Sequence, residues 1–133
     1  MELILRHYQT YPGFYVNFIN GVNLITGVTG AGKSTIFRAI HWILYGSNTS
    51  GLPTPHRYSK VPKEIDETLF QKTGIKIPEK SPTGYLELKL NNNYHVRILR
   101  HANPSALYLW IIDLSRMIDQ TNPNQDRKST RLN

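Results

Sequence analysis

The sequence predicts an α/β fold built on a mixed sheet, and three observations predict it. Ahead of residue 19, two short segments alternate apolar and polar residues at the period of a half-buried strand. Between residues 22 and 46, an apolar segment, a glycine-rich run and an amphipathic segment follow one another in the order strand, loop, helix. Between residues 85 and 100, two more alternating segments flank Asn91-Asn92-Asn93, the pattern of an antiparallel hairpin.

The elements follow in order. Segment 2–8 places Leu3 and Leu5 on one face and Ile4 and Arg6 on the other, as a strand does. Tyr11-Pro12-Gly13 predicts a turn, and 14–18 predicts a second strand whose Phe14, Val16 and Phe18 share a face. Asn20-Gly21 is a two-residue hairpin signal leading into a third strand over 22–26. After the glycine run, 34–45 reads as a helix with Gly46 as its stop. Ile36, Phe37, Ala39, Ile40, Ile43 and Leu44 form a broad apolar stripe to seat it on the sheet, with Arg38 and His41 off the stripe.

Residues 47–62 are rich in Ser, Pro, Thr and Gly and read as a long loop. A short helix is expected over 63–72, with Ile65, Leu69 and Phe70 together and Gly74 ending it, followed by loop over 75–82. The hairpin 85–90 and 94–100 carries the sharpest expectation. A three-residue loop at 91–93 sets Leu90 opposite Tyr94, Leu88 opposite Val96 and Leu86 opposite Ile98, all apolar. The same register sets Glu87 opposite Arg97 on a solvated face, and a one-residue slip would destroy both patterns. Asn103-Pro104-Ser105 then turns the chain into 106–112, a strand apolar on both faces.

The glycine run carries the chemistry. Gly27-Val28-Thr29-Gly30-Ala31-Gly32-Lys33-Ser34-Thr35 satisfies G-x-x-x-x-G-K-[ST] at every defined position. Gly27, Gly30 and Gly32 let the main chain wrap closely around a phosphate. The backbone N–H groups of residues 30–35, Ala31 among them, are expected to point at the β-phosphate, helped by the positive end of the helix that begins near Lys33. Lys33 supplies a mobile charge for the β- and γ-phosphates. The Ser34 hydroxyl is the expected ligand of Mg²⁺, and Thr35 supports the α-phosphate. The pattern implies a nucleoside triphosphate with magnesium.

Composition sets weaker limits. A chain of 133 residues with 39% apolar residues suits one domain with a modest core. It has no cysteine, which excludes disulfides and cysteine metal sites within it and fits a reducing compartment. With no charged-then-apolar leader and no run long enough to span a bilayer, a soluble intracellular protein without membrane contact is expected. His7, His41, His56, His95 and His101 show no metal-ligand spacing and read as structural or surface residues.

Residues 126–133 resemble one reading frame of a common short-read sequencing adapter translated codon by codon, the alternative being a polar, disordered tail. On the adapter reading, the natural frame continues past Gln125. Leaving out Asp126, Arg127, Lys128 and Arg131 lowers the formal charge from +7 to +5. The remaining Lys and Arg are scattered, as on a solvated surface, although a basic chain remains compatible with nucleic acid nearby.

The order L-I-L-R-H-Y-Q-T-Y, then Y-V-N-F-I-N-G-V-N-L-I-T-G-V-T-G-A-G-K-S-T, then I-F-R-A-I-H-W-I-L-Y-G resembles the N-terminal ATPase lobe of SMC-like DNA-repair proteins, in particular the SbcC and Rad-fifty type. The resemblance is close over 2–46 and looser through Y-L-E-L-K-L and Y-H-V-R-I-L-R, which are similar to antiparallel strands ending in an R-x-x-R-like segment. It implies a mixed sheet of the ABC-ATPase type over 1–125, forming the N-terminal half of an ATPase domain. The signature motif and Walker B carboxylates would lie beyond a long coiled coil that this chain lacks. It further implies an ATP-dependent homodimer whose engagement gates a nuclease partner at DNA double-strand breaks. Residues 30–35 carry over as phosphate ligands and Ser34 as a magnesium ligand. The glutamine that reaches magnesium in this fold corresponds to Gln120 or, as a second choice, Gln125. Where the family usually has Arg or Lys near the nucleotide, this chain has Gln9 after Tyr8, which leaves Gln9 out of the site. Hydrolysis would need the missing parts, so no catalytic residue is assigned within the chain and only weak nucleotide binding is expected of it alone.

Two other readings stand beside this one. In a small self-contained P-loop phosphotransferase, 109–113 would be the apolar strand ending in a magnesium-associated Asp113, whose plainer reading is a strand-end residue. In a non-hydrolysing nucleotide sensor or DNA-binding module, the Tyr, His and Arg residues of the hairpin would face nucleic acid, although aromatic residues on strands more often belong to a core.

Overall fold

Strand β1 (Glu2–Tyr8) is the centre from which the sheet grows, because its alternation is apolar on both faces: Leu3 and Leu5 on one, Ile4 on the other, all fully buried. The computed structural model describes residues 1–9, 11–19, 33–46, 60–91, 93–117 and 127–132. Strand β2 (Tyr11–Asn17), helix α1 (Lys33–Tyr45), helix α2 (Lys63–Thr73), strands β3 (Thr83–Leu90), β4 (Tyr94–His101) and β5 (Ala106–Asp113), helix α3 (Leu114–Met117) and strand β6 (Arg127–Leu132) follow. The six strands form one sheet in the order β2-β1-β3-β4-β5-β6. Every described pairing is antiparallel. The strand expected over 22–26, the Asn20-Gly21 turn and residues 47–59 lie outside the described residues, and so does any parallel part of the sheet.

The predicted hairpin register holds. Leu90 faces Tyr94, Leu88 faces Val96, Glu87 faces Arg97 and Leu86 faces Ile98. Strand β5 continues the sheet where 106–112 was expected to. Arg127–Leu132, kept outside the fold in the sequence reading, pairs with β5 from Ile112↔Arg127 to Leu107↔Leu132 as an edge strand.

The sequence reading of 11–13 as a turn needs correction. Tyr8 pairs with Tyr11 and Arg6 with Gly13, so β2 already begins at Tyr11. A proline is compatible with this because, among the described residues, β2 is the outermost strand of the sheet, where one side of the backbone needs no ladder partner. Gly13 is there because α2 crosses it closely: a Cβ at that position would lie 2.7 Å from Ile65 Cγ1 and 2.8 Å from Pro62 Cδ.

Among the described residues, α1 packs on one face of the sheet and α2 on the other. On the first, Leu3, Leu5, Leu86 and Tyr8 join Ile36, Ala39, Trp42 and Ile43 of α1 in one core, with Phe14, Val16, Leu88 and Ile98 packed against it. The expected stripe on α1 is shifted. Phe37 is 62% exposed and Leu44 40% exposed, while Trp42, outside the predicted stripe, is 2% exposed. On the second face, Leu69 of α2 joins Ile4, Tyr85 and Leu99, with Ile65, Ile75 and Ile77 flanking. Gly74 ends α2 in the left-handed conformation, and its N–H reaches Phe70 O at 2.7 Å. Phe70, expected beside Ile65 and Leu69, is exposed instead.

Candidate nucleotide-binding site

Of the predicted phosphate and magnesium ligands, the described residues include Lys33, Ser34 and Thr35, which form the start of α1. Gly27, Gly30, Ala31 and Gly32 lie outside the described residues, as do Gln120 and Gln125. Ser34 is exposed, and Thr35 is buried against the body of the fold. The first turn of α1 contains no acidic residue. No carboxylate of that turn therefore occupies the positive end of the helix.

The donor set suits magnesium. That ion keeps several waters and binds phosphate oxygens with one or two protein oxygens, so a single exposed hydroxyl at Ser34 fits the role. Among the described residues no group of three or more His, Asp or Glu gathers as a protein metal cage.

Helix α1 is held by its apolar face and by its far end. The rings of Tyr8 and Trp42 lie 5.5 Å apart, tilted by 42°. Gly84 of β3 lies directly beneath Ile43, where a Cβ would overlap Ile43 Cγ1 and Cδ1. Across the ladder from Gly84 stands Arg100, whose Nε donates a hydrogen bond to Ile43 O at 3.1 Å. Burial draws the Arg100 guanidinium below its ordinary pKa, although arginine stays charged at any physiological pH. Sequence reasoning assigned neither Gly84 nor Arg100; the detectable signal was a glycine at the start of an alternating strand.

The opposite face of the sheet holds a charge network. Glu87 Oε1 accepts from Arg97 Nε at 2.6 Å, and Lys72 Nζ lies 3.1 Å from Glu2 Oε2 and 3.8 Å from Glu87 Oε2. The solvated face expected for Glu87 and Arg97 is instead covered by α2, and Glu87 is 7% exposed. Burial alone would raise the Glu87 pKa, but the hydrogen bond and charge of Arg97, with Lys72, outweigh it and hold the carboxyl below its ordinary value. Burial first, and then the Glu87 charge, push the Tyr85 hydroxyl up. Nearby, buried Arg6 donates from Nε to Asp66 Oδ1 at 2.5 Å and from Nη1 to Pro78 O at 3.1 Å and Ser81 O at 3.3 Å. These groups bind α2 and the following turn to the sheet.

Asp113 closes β5 as a helix cap: its Oδ1 accepts from Ser115 N at 3.1 Å and from Ser115 Oγ at 2.6 Å. Of the four histidines among the described residues, His7 and His101 are buried, and His101 Nδ1 lies 2.6 Å from Pro104 O. Gln9 sits in the β1–β2 turn with φ 46°.

Comparison with known proteins adds the family. Residues 2–132 match the AAA domain. The chain belongs to the AAA domain family. That membership, with an α/β fold around an antiparallel sheet, fits a P-loop-type ATPase at a coarse level and implies nucleotide binding, usually with magnesium. Uncharacterized protein 094L of Invertebrate iridescent virus 3 is 39% identical to this AAA domain chain over 59 residues, which are 44% of this chain and 6% of that protein. The match thus spans a small fraction of that relative's length. No solved structure matches the chain. No helix among the described residues is long and apolar enough to cross a membrane.

Proposed function

We propose that this AAA domain chain is the N-terminal portion of an SMC-like ATPase of the SbcC and Rad-fifty type. It would bind Mg-ATP through Gly27, Gly30, Ala31, Gly32, Lys33, Ser34 and Thr35, with Ser34 on magnesium and Gln120 as a second magnesium contact. The observation that carries the reading is a complete phosphate-loop sequence running into a helix whose first turn, at Lys33, Ser34 and Thr35, is free of acidic residues. When bound, magnesium would neutralise the β- and γ-phosphate oxygens. The chain's own groups would orient the triphosphate.

The outer face of α1 supports the assignment to a larger ATPase domain. Phe37, Leu44 and Tyr45 are 62%, 40% and 70% exposed on the side turned away from the sheet, a stripe that a second half of the domain would cover. The length of the viral relative agrees with such an extension. In the full protein, two ATPase units would engage around ATP as a homodimer and gate a nuclease partner at DNA ends, the ABC-type division of labour that the sequence resembles. The phosphotransferase reading gains nothing from Asp113, whose carboxylate already caps α3.

Long-read sequencing of the parent gene past the codon for Gln125 tests the assignment. The expected result is an open frame with heptad-patterned residues, then a signature motif and an Asp-Glu Walker B strand. A stop at or soon after Asn133 would overturn it and return Asp113 to consideration.

A further inference from the structure

Helix α1 presents one end to the phosphate chemistry and leaves the other in an unusual position. Its last turn contains no basic residue of its own. The last carbonyls of a helix carry a partial negative charge and lack intrahelical donors, so a cation there is stabilising. In this fold the cation comes from another element. Arg100, on β4, donates from Nε to Ile43 O at 3.1 Å. Gly46, with φ +77°, ends the helix directly against the same guanidinium: a Cβ on Gly46 would stand 3.0 Å from Arg100 Nη1 and 3.3 Å from Cζ. The guanidinium thus lies over the end of α1.

The neighbouring strand completes the seat. Gly84 and Arg100 are direct register partners across the β3–β4 ladder. Gly84 receives the Ile43 side chain where any Cβ would collide with it, and that Cβ would also stand 3.3 Å from Trp42 Cζ3. One rung of the hairpin therefore fixes both the height of α1 above the sheet, through Gly84, and its position along its own axis, through Arg100. A helix is stiff, and 13 residues at about 1.5 Å per residue form a rod of about 20 Å. A shift of the seated end is carried to Lys33, Ser34 and Thr35.

We propose that the Gly84–Arg100 rung is the seat that sets the phosphate-binding end of α1, which makes Arg100 a positioning residue for nucleotide binding. The inference rests on the phosphate-loop reading above and deepens it. By linkage, nucleotide at one end of α1 stabilises the β3–β4 hairpin at the other, by the same factor that the seat contributes to affinity.

The test measures affinity for a fluorescent ATP analogue with magnesium in the full-length chain and in its Arg100→Ala, Arg100→Lys, Gly84→Ala and Lys33→Ala variants. Arg100→Ala is expected to bind about tenfold more weakly, Arg100→Lys to retain most of the affinity, and added methylguanidinium to restore binding to Arg100→Ala but not to Lys33→Ala. Gly84→Ala, which keeps the cation but lifts Ile43, should weaken binding as well. Hydrogen exchange should show nucleotide-dependent protection of 94–101 in the parent chain that Arg100→Ala loses. A purely structural cap would lower the melting temperature without guanidinium-dependent affinity. A folded Arg100→Ala with affinity within twofold of the parent, or, where that variant does not fold, a folded Gly84→Ala with parental affinity, would overturn the proposal. Failure of the underlying reading looks different: the parent chain would not bind, or Lys33→Ala would bind as well as the parent.

Discussion

Glu87 and Arg97 face each other across the β3–β4 ladder at 2.6 Å, and the pair lies beneath helix α2 rather than in solvent. A carboxylate in that position is stabilised by its partners and destabilised by its burial. The balance favours the charged form, because the Arg97 hydrogen bond and charge outweigh burial and Lys72 adds a second cation 3.8 Å away. The relationship makes α2 part of the sheet's electrostatics.

Acid should therefore loosen the α2 face. A carboxyl whose folded pKa lies below its unfolded value contributes stability that is fully present above the unfolded value and is lost as pH falls through the folded one. Glu87→Gln is expected to cost about 1–2 kcal/mol near neutrality and to flatten the decline in stability below about pH 4. Urea melts of both proteins between pH 3 and pH 7 measure this, and parallel pH profiles would contradict it.

Arg6 and Asp66 should respond unequally to mutation. Arg6 is 4% exposed and also donates to Pro78 O and Ser81 O, whereas the Asp66 side chain is 46% exposed. Arg6→Met removes three hydrogen bonds at once, leaving Pro78 O with the Ser81 N–H and Ser81 O with the Thr83 hydroxyl, and is expected to destabilise by about 2–3 kcal/mol, while Asp66→Asn, which keeps an acceptor in place, should cost less than about 1 kcal/mol. Equal losses in chemical denaturation would show that the ion pair alone, and not the carbonyl contacts, holds the turn.

Leu69 tests whether α2 is part of the core. It is 1% exposed among Ile4, Tyr85 and Leu99. Leu69→Ala should destabilise by about 2–4 kcal/mol, the usual loss for an uncollapsed cavity. Exposed Phe70, one residue on, should tolerate alanine with a change of about 0.5 kcal/mol or less.

Gly74 offers a purely conformational test. Its φ is +68°, and no atom lies within 4 Å of where a Cβ would stand. Gly74→Ala should lower stability by about 1 kcal/mol through backbone strain alone. A thermal melt showing no loss would mean that α2 ends differently in solution.

Much of this architecture was legible because local patterns were redundant. The β3–β4 register followed from three apolar pairs and one opposite-charge pair that agree in a single alignment. The assignment of the outer face was not legible. Nothing near Glu87 in the chain says that Ile65 and Leu69 will pack over Ile4 and Tyr85, a contact decided by chain tracing. Helix α1 misled for a related reason. It is apolar around most of its circumference, so periodicity alone could not place Trp42 inside and Phe37 outside. The Tyr11-Pro12-Gly13 reading failed because an edge strand accepts the residues that usually signal a turn. In the proposed site, the motif alone pointed to Lys33, Ser34 and Thr35. The seat at Gly84 and Arg100 depends on a contact between residues distant in sequence and carries no motif.

Lys33, Ser34 and Thr35, at the start of α1, are proposed to belong to a phosphate-binding loop. Titration of a fluorescent ATP analogue with magnesium, displaced by unlabelled ATP, tests it most directly when run beside Lys33→Ala. Saturable binding is expected, weak in this chain alone and stronger in the full-length protein, and Lys33→Ala should abolish it. Equal binding by Lys33→Ala and the parent, or no binding by the full-length protein, would contradict it.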